Sequence, residues 1–260
     1  KKLDKLDIIE VEQEDVTKLS FRFPPAPHSG KVTFRMEDIY KSYGDLKVLH
    51  NINLEINKGE KIAFVGKNGE GKTTLAKIIV NQIKYNGKCE LGHNVQFGYY
   101  AQNQVDFLDQ NKTVLETVEY EMRADTNLKV RDVLGSFLFS SDEVDKKISV
   151  LSGGERARVS LCKLLLAPVN FLIMDEPTNH LDIMSKDILK KALAAFDGTL
   201  VIISHDRDFL QGLTNKIYEF KNKNIKEYIG DVNTFLNQNH LENLDDLNIT
   251  DTVSIKKPKE

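Results

Sequence analysis

Ten residues, VGKNGEGKTT from Val65 to Thr74, limit what this chain can fold into more than any other stretch. They fit the spacing G-x-x-x-x-G-K-[ST] with Gly66, Gly71, Lys72 and Thr73, and they join the apolar run IAFV to a segment of helical patterning from Lys72 to about Ile83. A strand that turns through glycines into a helix start is an anion cradle. The glycines let backbone N–H groups turn inward around phosphate oxygens, and the helix presents the positive end of its dipole. Lys67, Asn68, Gly69 and Thr74 complete the nucleotide-binding loop, in which Lys72 can reach the β- and γ-phosphates and the Thr73 hydroxyl can ligate magnesium. Glu70 is an acid inside a loop that must hold polyphosphate, so its side chain is expected to point away from the ligand. The alternative, a glycine-rich turn with a surface lysine, leaves the flanking strand and helix unexplained.

A phosphate loop says only that a nucleotide binds. FLIMDEPTNHLD, from Phe171, adds a strand-sized apolar run ending in Asp175. Ligands of open α/β sheets sit at the carboxyl edge of the strands, which puts Asp175 beside the loop and suits it to hold magnesium. Glu176 projects differently and can polarise an attacking water as general base. Alone, an Asp-Glu pair closing a strand is more often a solvated turn; with Lys72 in the same chain the balance reverses.

The chain has 260 residues, 40% of them hydrophobic and 29% charged, with a net charge of −3. That is room for one large domain or two small ones, and it carries no global nucleic-acid signature. The longest apolar runs, IAFV, FLIM and TLVII, are strand-sized, far short of the roughly 20 residues that cross a bilayer. Two distant cysteines, Cys89 and Cys162, argue against a disulfide scaffold and for a reducing cytoplasm. The opening KKLDKLDIIEVEQ has neither an initiator methionine nor a signal pattern, and reads as the end of a charged helix in a piece of a longer protein.

After the prolines of PPAPHSG, residues 30–60 alternate like half-buried strands with turns at Gly44 and at Lys58-Gly59. A short strand is expected in VQFGYYAQ. The helical patterns ERARVSLCKLLLA, KDILKKALAAF and DRDFLQGL then alternate with FLIMD and TLVIIS, which implies a parallel sheet with right-handed crossovers. The stretch between them is too long for a loop and reads as a helical subdomain, about 103–160. From about Leu236 the sequence turns polar and is expected to be a poorly ordered tail with one helical turn at most.

LSGGERARVSL, from Leu151, is a second anion-binding helix start built from Ser152, Gly153 and Gly154, with Glu155 closing the LSGGE run. Two phosphate cradles are excessive for one nucleotide. LSGGE resembles the signature of ATP-binding-cassette ATPases, which contacts the γ-phosphate of ATP held by an opposing cassette. Other positions are similar in order: Gln102 in YYAQ, which would meet magnesium and the attacking water; His205 in ISHD, which would contact the γ-phosphate; Asp182, in the loop that crosses the dimer interface; and Tyr43 in KSYG, which would stack on adenine. The resemblance implies an α/β fold, a P-loop ATPase core of mainly parallel sheet with helices on both faces, plus an antiparallel β subdomain and the helical subdomain. ATP and Mg2+ are the implied cofactors, and the cassette would span residues 30–235.

EPTNHLD narrows the resemblance. Asn179-His180 resembles the ABC-F family, soluble twin-cassette proteins that act on ribosomes. Residues 1–29 resemble the end of the linker between cassettes, which would make this the second cassette, with 236–260 a polar tail. The resemblance implies a second cassette, the ribosome and tRNA as partners, and no membrane. Two alternatives stay open: a nucleotide-binding subunit of an ABC transporter, and a module that binds nucleotide without hydrolysis.

Overall fold

The computed structural model of the protein describes residues 25–101, 104–120, 130–241 and 243–249. The expected linker helix near the start, Gln102 and the KKPK end lie outside the described residues.

Two long strands, β1 (Val32–Tyr43) and β2 (Leu46–Asn57), open the domain, followed by β3 (Lys61–Gly66) and α1 (Lys72–Ile79). Next come β4 (Asn86–Leu91), β5 (Phe97–Tyr100), α2 (Val114–Glu119), α3 (Val130–Ser136) and α4 (Gly153–Leu166). The second half alternates: β6 (Phe171–Asp175), α5 (Ile183–Ala195), β7 (Thr199–Ile203), α6 (Arg207–Leu210), β8 (Lys216–Lys221), β9 (Asn224–Ile229), α7 (Val232–Gln238) and α8 (Asp246–Ile249).

The strands form two sheets. The central one runs β5-β6-β7-β3-β8-β9, parallel throughout except for the antiparallel β8–β9 edge. The second is antiparallel, β2-β1-β4. Alternation in the central strands explains why two layers cover them. Leu172 and Met174 of β6 and Leu200 and Ile202 of β7 pack with α4 and α5, while Phe171, Ile173, Val201 and Ile203 pack with α1 and the antiparallel sheet. The mainly parallel sheet, antiparallel β subdomain and helical subdomain expected from the sequence are all present.

Several details differ. α1 stops at Ile79, a turn early, because Asn81 adopts a left-handed φ of 56° that ends the helix. β4 and the β8–β9 hairpin were not foreseen. The helical subdomain has no break near residue 160, since α4 runs unbroken to Leu166 and packs against α2. The tail expected from Leu236 starts inside α7, and Leu236, Leu244 and Leu247 are buried in the main core. Apolar side chains among polar ones anchor that stretch.

The incoming segment is fastened at the amino edge of the central sheet. The Ala26 amide donates to Asp197 Oδ1 at 3.1 Å. Buried Asn170, just before β6, donates to the carbonyls of Pro27 (3.1 Å) and Asn94 (2.9 Å) and accepts from the Gln96 amide (2.9 Å).

Candidate functional site

β3 lies between β7 and β8, and its end, Gly66, reaches the sheet's carboxyl edge paired with Phe220 of β8. Glycine is required there: φ is 144°, and a Cβ would sit 2.4 Å from the Phe220 carbonyl oxygen. Gly71 is equally constrained, with φ 103° and a would-be Cβ 2.8 Å from Leu49 Cδ2. Between them the loop closes on Lys72, 6% exposed, whose ammonium donates to the carbonyls of Gly66 (2.6 Å) and Lys67 (2.8 Å). Burial pulls the Lys72 pKa down, opposed by the charges of Glu176, Asp175 and Glu70. The Glu70 carboxylate accepts from the Lys223 amide at 3.4 Å, in the β8–β9 turn.

β6 is buried along its whole length between β5 and β7 and delivers Asp175 to the same edge. The Thr73 hydroxyl donates to Asp175 Oδ1 at 3.2 Å. Asp175 Oδ2 is buried and has no hydrogen-bond partner among the described residues, while burial raises the pKa of the group. A hydroxyl and a carboxylate with a spare buried oxygen suit magnesium, which favours hard oxygen ligands and takes the rest of its shell from phosphate and water. Among the described residues no group of three His, Cys, Asp or Glu could hold a metal.

Glu176 leaves the strand with a left-handed φ of 51° while its amide donates to the Ile203 carbonyl at 2.8 Å. This kink separates its carboxylate from that of Asp175. Burial, then the neighbouring Asp175 charge, pushes the Glu176 pKa up to about 7. His205 arrives from the end of β7, and its Nε2 lies 3.7 Å from Glu176 Oε1. Burial and the Lys72 charge hold the imidazole below its ordinary pKa, so at neutral pH this approach is not an ion pair. The fold therefore gathers Lys72, Thr73, Asp175, Glu176 and His205, from three parallel strands, at one edge.

Ser152 caps α4 by a capping box: its Oγ accepts from the Glu155 amide (3.3 Å), and the Glu155 carboxylate accepts from the Ser152 amide (2.7 Å). A Cβ on Gly154 would lie 3.2 Å from the His180 carbonyl, so the turn rests against the loop after Glu176. Asp182 caps α5, accepting from the Ser185 amide at 2.7 Å, and its other oxygen is 3.4 Å from Arg158 Nη1 of α4. Beside it Ile183 is 86% exposed. Tyr43 ends β1, half exposed, with the Lys41 ammonium 4.6 Å from its ring centroid. Sequence reasoning passed over Arg158 and Lys186; the only available signal was helical spacing, six residues after Ser152 and four after Asp182.

A concavity of about 530 Å³ lies elsewhere, between β1–β2 and the β8–β9 hairpin. Both of its cations are already paired: Arg35 with Glu55 at 2.6 Å, and Lys216 with Glu60 at 2.7 Å. It offers no convergent group to a ligand.

Comparison with known proteins gives a consistent result. The family described as ABC transporter matches residues 49–179, half of the chain. The chain is 40% identical over 250 residues to ABC transporter F family member 5 of Arabidopsis thaliana, covering 92% of this chain and 35% of that protein. It is 40% identical over 233 residues to the putative ATP-binding protein YdiF of Bacillus subtilis, covering 89% and 36%. The chain thus spans little more than a third of the length of these curated relatives. Among solved structures, a bacterial Atm1-family ABC exporter with ATP bound superposes with a TM-score of 0.70 at 18% identity, over 90% of this chain and 44% of that one. An ATP-binding subunit of an ABC transporter gives 0.70 at 18%, over 85% and 99%. These two speak for the fold alone.

Proposed function

Because this chain belongs to the ATP-binding-cassette family, whose members are ATPases, we propose that it is the hydrolytic cassette of an F-type protein, working by ATP-dependent closure against a second cassette. The observation that carries this reading is the meeting of Lys72 and Thr73 with Asp175, Glu176 and His205 at one sheet edge. Lys72 and the amides of residues 66–74 bind the phosphates, and Tyr43 stacks on the base. Thr73 and Asp175 would hold magnesium, which when bound would supply positive charge against that of the phosphates. Glu176 takes the proton of the attacking water, and His205 orients the γ-phosphate. The Ser152 turn with Gly153, Gly154 and Glu155, and the Asp182 turn, face the nucleotide of the second cassette. Hydrolysis removes the charge that bridges the halves, so ATP supports a closed form and ADP an open one.

The wider setting is proposed on EPTNHLD and on the F-family relatives. Residues before about 30 belong to an intercassette linker, the parent acts on the ribosome and tRNA in the cytoplasm, and this chain supplies its second cassette. No helix among the described residues is long and apolar enough to cross a membrane.

Light scattering of Glu176→Gln with magnesium tests the closure. Doubling of mass on adding ATP is the expected result for self-pairing. A mass that stays monomeric while ATP binds assigns the closing role to a different cassette, and failure to bind ATP at all overturns the reading. Co-sedimentation of the full-length parent with ribosomes, lost on ATP hydrolysis, is expected; partition with membranes instead would make it a transporter subunit.

A further inference from the structure

Two lysines one turn apart on α5 reach the segment that follows His205. Lys186 Nζ donates to Asp206 Oδ2 at 2.8 Å, and Lys190 Nζ donates to the Asp208 carbonyl. Asp206 is fixed further: its Oδ1 accepts from the Phe209 amide at 3.0 Å, capping α6, and its own amide donates to Ser204 Oγ at 3.1 Å. His205 lies between Ser204 and Asp206, so its backbone is pinned on both sides.

The start of α5 is also tied to α4. Its cap, Asp182, pairs with Arg158 of α4, and the same Arg158 nitrogen is 3.4 Å from Ser185 Oγ. The Lys186 amide donates to the Asp182 carbonyl at 3.0 Å, so the lysine sits in the turn that Asp182 begins. One helix start thus joins α4, whose first residues follow Ser152, to the segment carrying the histidine that approaches Glu176.

We propose that Lys186 is a positioning residue for the hydrolytic site: through Asp206 it makes the placement of the His205 side chain depend on the placement of the Asp182 turn and α4. This rests on the reading that the Asp182 and Ser152 turns face a second cassette. Closure that shifts those turns is then felt at His205 of the same chain. Lys186 and Asp206 are partly exposed, and ion pairs of that kind contribute little to stability, so losing the bridge leaves the fold intact. Lys190 keeps a second hold on the segment.

The test reads His205 directly in the whole chain, through proton–carbon correlation of its six histidine rings at about pH 8, where an imidazole is neutral. His205→Gln identifies the cross-peak. Asp182→Asn is expected to displace it. In the Lys186→Met background the same change is expected to displace it roughly twofold less or smaller still, as for groups in one network, and Lys186→Arg is expected to restore the full displacement. The cross-peaks of His50 and His93, in β2 and the turn after β4, should hold still throughout. An undiminished displacement in Lys186→Met overturns the proposal. So does joint movement of all six peaks, which would make Lys186 a folding residue. The spectrum reads this coupling whether or not the chain hydrolyses ATP, so its failure is separate from failure of Glu176→Gln to trap ATP.

Discussion

Two helices of this domain begin at glycine-flanked turns, and they begin differently. α1 starts behind Gly71, in left-handed conformation, with no side-chain cap. α4 starts behind Ser152, which closes a capping box with Glu155. Thr113, Asp182, Asp206 and Asp231 likewise cap α2, α5, α6 and α7. A helix start has four N–H groups without intrahelical partners. α4 satisfies two of its four, those of Ser152 and Glu155, within its own capping box, leaving the Gly153 and Gly154 amides to offer outward. α1 spends no side chain and keeps its donors for phosphate. One start is built to be stable in itself, the other to be completed by what it binds.

That contrast can be broken in order of effect. Lys72→Ala removes the charged donor at the α1 start, and isothermal titration should show ATP binding weaker by about 10- to 150-fold, equivalent to about 1.5–3 kcal/mol. Transplanting a serine cap, Gly71→Ser, should fail: the left-handed φ and the Leu49 side chain oppose it, at a cost of about 1–3 kcal/mol and a lower melting temperature. A variant as stable as the parent would mean the cap-free start is not imposed by geometry. Ser152→Ala should lower stability in urea by about 1 kcal/mol, yet leave ATP affinity of the isolated chain unchanged. The smallest effect is acid fraying. Hydrogen bonds from the amides at their caps hold Asp182 and Asp231 below the usual carboxylate range. Their stabilisation is present above the unfolded carboxylate pKa of about 4 and is lost as pH falls through the depressed folded values. Amide protection factors in the first turns of α5 and α7 should fall on acidification more than in α1, which has no carboxylate cap.

The residues of the proposed site could be read because the chemistry proposed for them requires particular side chains at fixed spacings. Gly66, Gly71 and Lys72 could be read from a loop that needs left-handed turns and a cation, and FLIMD from five consecutive buried positions. The β8 strand was not legible, because Glu219 interrupts its apolar run. That acid is buried with a partner from the next strand, the Tyr228 hydroxyl at 2.8 Å, which no local pattern announces. β4 has no buried residue, so it shows no alternation; its place comes from hydrogen bonds to β1. The Asn81 stop looked like an ordinary helix residue. The contribution of Gln102 falls outside the described residues.

The fastening of the incoming chain has a mechanical meaning. Asn170 and Asp197 stand at the feet of β6 and β7, and the far ends of those strands lead into Glu176 and His205. Five residues of extended strand span about 16 Å. Tension on the chain ahead of Pro25 would load these two rods lengthwise, the direction in which a strand already near full extension yields least. A pull on that segment would therefore act first on the hydrogen bonds at Asn170 and Asp197, at the feet of the strands that lead into Glu176 and His205.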